Sequence, residues 1–123
     1  MLRSVFRLGS FAGRASRREF AWIFLATLAL SFVHLAVIAG WPSFVRQPAL
    51  EIASLGLSAL LGWATVAVSV RRLHDLGKTG WLLVLYVVPI VGVVILVWLF
   101  ARPGTPGQNA FGSAAGPDAG LAA

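Results

Sequence analysis

Three long stretches of this chain are almost free of charge, and their spacing constrains the fold more than any other feature. Between Glu19 and Arg46 the only ionisable side chain is His34, between Glu51 and Arg71 there is none, and between Lys78 and Arg102 the only titratable group is Tyr86. Each stretch is about the length needed to cross a hydrocarbon core of about 30 Å. Charged residues are 11% of the chain, against about 25% in an average soluble domain, while 59% are hydrophobic. So few polar side chains cannot cover a water-facing globule. The pattern predicts an all-α integral membrane protein with three transmembrane helices, over about residues 20–40, 50–70 and 80–101, preceded by a short basic interfacial helix.

Local signals punctuate these runs. Ser16 followed by Glu19 has capping-box spacing and predicts a helix start near Arg17. Gly40, Trp41 and Pro42 stop that helix. A second helix is expected from about Leu50 to Leu76, closed by Gly77 in a left-handed conformation. Thr79 is the expected cap of a third helix from Gly80 to about Ala101, kinked by Pro89 and Gly92. Residues 1–112 read as a single membrane domain. The tail over 113–123, rich in Gly, Pro and Ala, reads as disordered.

Ten Lys and Arg against four Asp and Glu give a net charge of +6. In a soluble protein that balance suggests nucleic acid. Here the cations flank apolar runs, so no nucleic-acid partner is expected. The N-terminal segment and the loop Arg71–Lys78 hold eight of the ten. By the positive-inside rule they face the cytoplasm, which places the N-terminus inside and, with three crossings, the C-terminus outside. A re-entrant turn at Pro89–Gly92 is the alternative and keeps the tail cytoplasmic. Its two halves of about ten residues would reach only about 15 Å each, so the continuous crossing is adopted. The segment before Glu19 is Arg-rich and acid-poor, with Val5, Phe6, Leu8 and Phe11 interleaved. It reads as an interfacial segment or as an organelle transit peptide, the former preferred.

The densest polar cluster is Arg71-Arg72-Leu73-His74-Asp75-Leu76-Gly77-Lys78. Helical spacing lets Arg71 pair with Asp75. One reading is that these residues set topology, cap the helix with cations and turn the chain. The functional reading is an anion site, in which Arg71, Arg72, His74 and Lys78 gather with Arg14, Arg17 and Arg18 around a lipid phosphate. His74 and Asp75 make a poor acid–base pair, because neighbours on a helix point about 100° apart.

His34 is the one ionisable side chain deep in a span. An antiparallel helix pair sets it level with Ser54 and Ser58 in a polar seam that continues to Gly62 and Thr65. Small residues at that spacing let helices approach closely in lipid. The seam is a packing device or, because ionisable groups inside membranes are functional candidates, a proton path. With no Cys, Cys nucleophiles and disulfides are excluded. No dinucleotide or phosphate loop and no metal-ligand cluster is present; no cofactor, metal or catalytic residue is expected.

Three motifs taken together resemble a known family. They are Phe11-x-Gly13-Arg14-x-Ser16-Arg17-Arg18-Glu19-Phe20, then Arg71-Arg72-Leu73-His74-Asp75 with Thr79-Gly80-Trp81, then Pro103-Gly104-x-x-Gly107-x-Asn109-x-Phe111-Gly112. In this order, over residues 11–112, they resemble the YhaH/YhaI-like family of small bacterial inner-membrane proteins, a domain of unknown function. Ala21-Trp22 departs from the family, which often has an aromatic directly after the Phe20 position. The resemblance implies a bacterial inner-membrane location and a helical fold. It implies no reaction, and it counts against a transit peptide.

The expected role is a non-enzymatic module whose cytoplasmic basic face binds anionic lipid headgroups or a partner protein. The alternative is a subunit of a small oligomeric transporter or channel lined by His34, Ser54, Ser58 and Thr65, with Gly56 and Gly62 as self-association contacts.

Overall fold

The computed structural model describes residues 10–40 and 47–115. The described residues are helical, with no strand beyond an isolated antiparallel bridge between Asn109 and Gly112. Helix α1 runs over Arg17–Gly40, α2 over Pro48–Asp75, a 3-10 helix over Gly80–Val87, and α3 over Pro89–Ala101.

α1 begins where its cap signal lies. Ser16 Oγ accepts the Glu19 amide at 3.2 Å, which makes half of a capping box. The other half is missing because the Glu19 side chain is used elsewhere. Before α1, residues 10–16 are not helical. The expected basic interfacial helix therefore does not include Arg14; its remainder, residues 1–9, lies outside the described residues. So does most of the loop containing Trp41, Pro42 and Arg46.

α2 starts on Pro48 at its first turn, where the missing amide costs nothing. It closes in a Schellman motif, with the Lys78 amide on the Leu73 carbonyl at 2.9 Å and the Gly77 amide on the His74 carbonyl at 3.0 Å. Gly77 sits at φ +70°, which a side chain would resist. By helix rise α1 is about 36 Å long and α2 about 42 Å, each enough to span a bilayer core.

The third apolar run is not one helix. It breaks at Val88, whose backbone is extended, into the 3-10 helix and α3. The two halves fold on each other closely enough that a Cβ on Gly92 would lie 3.1 Å from the Tyr86 carbonyl. Both ends of this hairpin lie at the end of α2. Gly80 sits against Val70, and the Leu99 and Arg102 carbonyls accept from Arg72. The expected continuous crossing over 80–101 is thereby corrected to a hairpin. Pro89 opens α3 at its first turn, where a missing amide costs nothing. Thr79 makes no side-chain cap.

The buried core gathers at the same end, from Ala15, Phe20, Val68, Leu73 and Leu99. Phe20, Phe24 and Phe100 form an aromatic triangle with centroid separations of 4.8–5.5 Å. Away from this end, large side chains such as Phe32, Leu35, Ile52 and Leu55 are mostly exposed, as lipid-facing residues are. Residues 113–115 have no regular secondary structure; the rest of the tail, 116–123, lies outside the described residues.

Candidate functional site

Three segments far apart in the chain meet where α1 begins and α2 ends. The extended stretch before α1 lies along the last turns of α2, with the Ala15 amide on the Arg71 carbonyl at 3.0 Å. The chain after α3 returns to the same place. The Thr105 amide and hydroxyl donate to the Asp75 carbonyl at 2.8 and 2.9 Å, and the Asn109 side-chain amide donates to the His74 carbonyl at 2.9 Å. The last carbonyls of a helix have no partner within it; here the tail supplies their donors.

Asp75 is the centre of the knot. It is 3% exposed; its Oδ1 accepts from Arg14 Nε at 2.9 Å and lies 2.9 Å from Arg14 Nη2 in the ion pair, while Oδ2 pairs with Arg72 Nη1. Each guanidinium then spreads over backbone carbonyls. Arg14 donates to Thr105, Gly107 and Gly112, and Arg72 donates to Ala15, Leu99 and Arg102. A buried charge is tolerated when it is paired and hydrogen-bonded. The tail passes so close that a Cβ on Gly104 would collide with the Asp75 carboxylate.

Arg71 is fully buried and turns away from Asp75, to Glu19 Oε1 at 2.8 Å. The expected Arg71–Asp75 pair is therefore replaced by Arg71–Glu19, Arg72–Asp75 and Arg14–Asp75. Spacing of four permits a pair on one helix, but two partners from other segments outcompete it. Arg71 Nε and Nη2 are buried without an acceptor among the described residues. His74 lies flat on Phe111, ring centroids 4.1 Å apart and planes 2° from parallel, with Nδ1 3.1 Å from the Gly13 carbonyl.

The candidate anion site thus divides. Arg14, Arg71 and Arg72 are buried, Arg14 and Arg72 on Asp75 and backbone carbonyls and Arg71 on Glu19 through Nη1 alone, so they do not face a lipid phosphate at the surface. His74 is taken up by its stack. Arg17, Arg18 and Lys78 are exposed around the knot, joined by Arg102; Arg17 touches only the Ala101 carbonyl, at 3.4 Å. Among the described residues no group of three or more His, Asp or Glu gathers in a way that holds a metal.

The seam lies where helical spacing predicts it. His34 Nε2 is 3.1 Å from both Ser54 Oγ and Ser58 Oγ. Nearer the knot Thr65 donates to Thr27 Oγ1 at 3.1 Å. Gly62 is the exception, since a Cβ there would meet nothing within 4 Å. Leu61, buried beside it, takes the inward position.

Sequence reasoning missed Glu19 as the ion partner of a buried arginine, and Thr105 and Asn109 as the groups that close α2. The only signal for the latter lay in the third motif, whose turn residues cluster as densely as those of a functional loop.

Two apolar helices long enough to span a bilayer, a folded apolar hairpin and a polar knot at one end define a small helical membrane protein. Residues 8–113 match the family model described as a protein of unknown function, DUF805, and the chain belongs to that family. It is 34% identical over 104 residues to the inner membrane protein YhaH of Escherichia coli K12, covering 83% of this chain and 84% of YhaH. It is 32% identical over 105 residues to the inner membrane protein YhaI of the same organism, covering 84% and 83%. The uncharacterized protein YiiR of that organism matches at 31% identity over 85% of each chain. No solved structure matches. The chain is an inner-membrane protein, and the three motifs that carry the resemblance are the three strands of the knot.

Proposed function

We propose that this protein is a non-enzymatic membrane module with two crossings, whose knotted end faces the cytoplasm and binds anionic lipid headgroups through Arg17, Arg18, Lys78 and Arg102. The observation that carries this reading is the division of charge at that end. Among the described residues the two acids at that end, Glu19 and Asp75, are paired with buried arginines, and no described acid is paired with the outer ring of cations. All seven described cations, the ten of the chain less Arg3, Arg7 and Arg46, lie at this end. The positive-inside rule then favours a cytoplasmic position for it. The packing of the tail against the knot and the folded hairpin support two crossings rather than three. A non-catalytic role is supported by the site's own chemistry, since Asp75 is pinned between two guanidinium groups and His74 is held by a stack.

Each surface cation near anionic lipid is worth about 1 kcal/mol, screened by salt. Spin-labelled lipids with the protein in mixed bilayers test this. The wild type should select phosphatidylglycerol over phosphatidylcholine, and the preference should fall with salt. Arg17→Gln/Arg18→Gln/Lys78→Gln should lose most of it, Arg102 alone remaining, while keeping the wild-type melting temperature. Equal preference for the two lipids in the wild type overturns the proposal.

A further inference from the structure

The hairpin makes the two halves of the molecule unequal in cross-section. At the knotted end four helical segments lie side by side: α1, α2, the 3-10 helix and α3. Toward the other end, among the described residues, only α1 and α2 continue. Burial marks the change. In α1 the last buried residue is Thr27 and in α2 the first is Leu61. Beyond them, over 28–40 and 47–60, every residue is exposed except His34 and Ser54, which are half-buried in the seam. From Arg17 to Thr27 is about 15 Å and from Asp75 back to Leu61 about 21 Å by helix rise, which matches the length of about 20 Å for α3. The hairpin therefore stops between about half and two-thirds of the way through a core of about 30 Å.

Its turn is built to stay there. Val87 and Ile90, beside the turn, are 82% and 80% exposed and wholly apolar, so the tip rests in hydrocarbon and not at the far surface. Two amides at the turn are bonded locally, the Val88 amide to the Leu85 carbonyl at 3.1 Å and the Gly92 amide to the Val88 carbonyl at 2.8 Å, and Pro89 has no amide to satisfy. The outward faces of the 3-10 helix and α3, including Trp81, Val84, Val93 and Val97, are apolar and exposed as well. Lipid chains are the chemistry that fits them.

We infer that the protein is a membrane wedge that occupies about twice the helical cross-section in the leaflet at its knotted end, and that it partitions into bilayers whose convex face is that leaflet. This goes beyond headgroup binding, because the asymmetry lies in hydrocarbon and acts on uncharged lipid.

The chain has no cysteine, so single labels report orientation. Gln108→Cys at the knotted end and Gln47→Cys at the opposite end are each reconstituted into giant vesicles of phosphatidylcholine and labelled from outside with an impermeant fluorophore. Each preparation shows one orientation only. Narrow tubes are then pulled from the vesicles, making the outer leaflet convex. Molecules labelled at residue 108 should be enriched in the tube relative to the parent vesicle, increasingly as the tube narrows. Molecules labelled at residue 47 should be depleted. Sorting of the same sign for both labels, or none for either, overturns the inference. Neutral lipid separates this outcome from a failure of headgroup binding.

Discussion

At the residue scale, the knot is an economy of one carboxylate for two buried guanidinium groups, and that ratio predicts an order of mutational costs. Removing one partner of a buried ion pair costs about 3–5 kcal/mol, because the other charge is left buried without an acceptor. Asp75→Ala strands both Arg14 and Arg72 and should lie at the top of that range or unfold the protein. Glu19→Ala strands only Arg71, and the Glu19 side chain is 17% exposed, so water can reach the gap; its cost should be clearly smaller. Denaturation in detergent, followed by circular dichroism, checks the order, and equal losses would refute the central place given to Asp75. Arg71 shows why spacing misleads here. Four residues separate it from Asp75 on one helix, and short-range geometry is all that a sequence displays. Glu19, 52 residues away, wins because α1 and α2 pack antiparallel and bring the two side chains to 2.8 Å. Gly77 and Ser16 were legible for the opposite reason, since a helix cap is decided by a handful of adjacent residues.

Elements divide along the same line. The bounds of α1 and α2 follow from apolar runs and their stop signals, and the seam follows from them, because two antiparallel helices joined by a short loop leave one register for His34 opposite Ser54 and Ser58. The third run offers length and hydrophobicity sufficient for a crossing, and its break is decided by how the halves pack. Gly92 carries that packing. Its absent Cβ would stand 3.1 Å from the Tyr86 carbonyl and 3.2 Å from the Tyr86 Cα, and backbone cannot swing aside as a flexible side chain can. Gly92→Ala should therefore destabilise by about 1–3 kcal/mol, the usual cost of overpacking. Gly56→Ala is the matched control. That site is open to the surroundings on α2, where exchanging Gly for Ala in a helix gains up to about 1 kcal/mol. Thermal melts of the two variants in the same detergent should move in opposite directions, and a neutral Gly92→Ala would mean that the hairpin does not close at this point.

At the scale of the whole molecule, the proposed two-crossing arrangement puts the tail on the same side of the membrane as the start of α1, whereas three crossings would put it on the other. A chain that crossed three times would carry Gln108 to the face opposite Lys78, and the contacts of Arg14 with Thr105, Gly107 and Gly112 could not form. A chain that crosses twice and folds back keeps Gln108, Lys78 and Arg14 together, leaving the loop that ends at Gln47 alone on the other face. Charge favours the second arrangement: moving Arg102 to the far face would cost the positive asymmetry one cation and would leave the last carbonyls of α2 without Thr105 and Asn109 as donors. Single-cysteine variants at Gln47, Lys78 and Gln108 decide between them when inverted and right-side-out membrane vesicles are treated with an impermeant maleimide. Lys78→Cys and Gln108→Cys should react only in inverted vesicles, where the cytoplasmic face is outward, and Gln47→Cys only in right-side-out ones. Reaction of Gln108→Cys together with Gln47→Cys would restore the third crossing. It would also dissolve the knot, since no side chain reaches through about 30 Å of hydrocarbon to a carbonyl on the other shore.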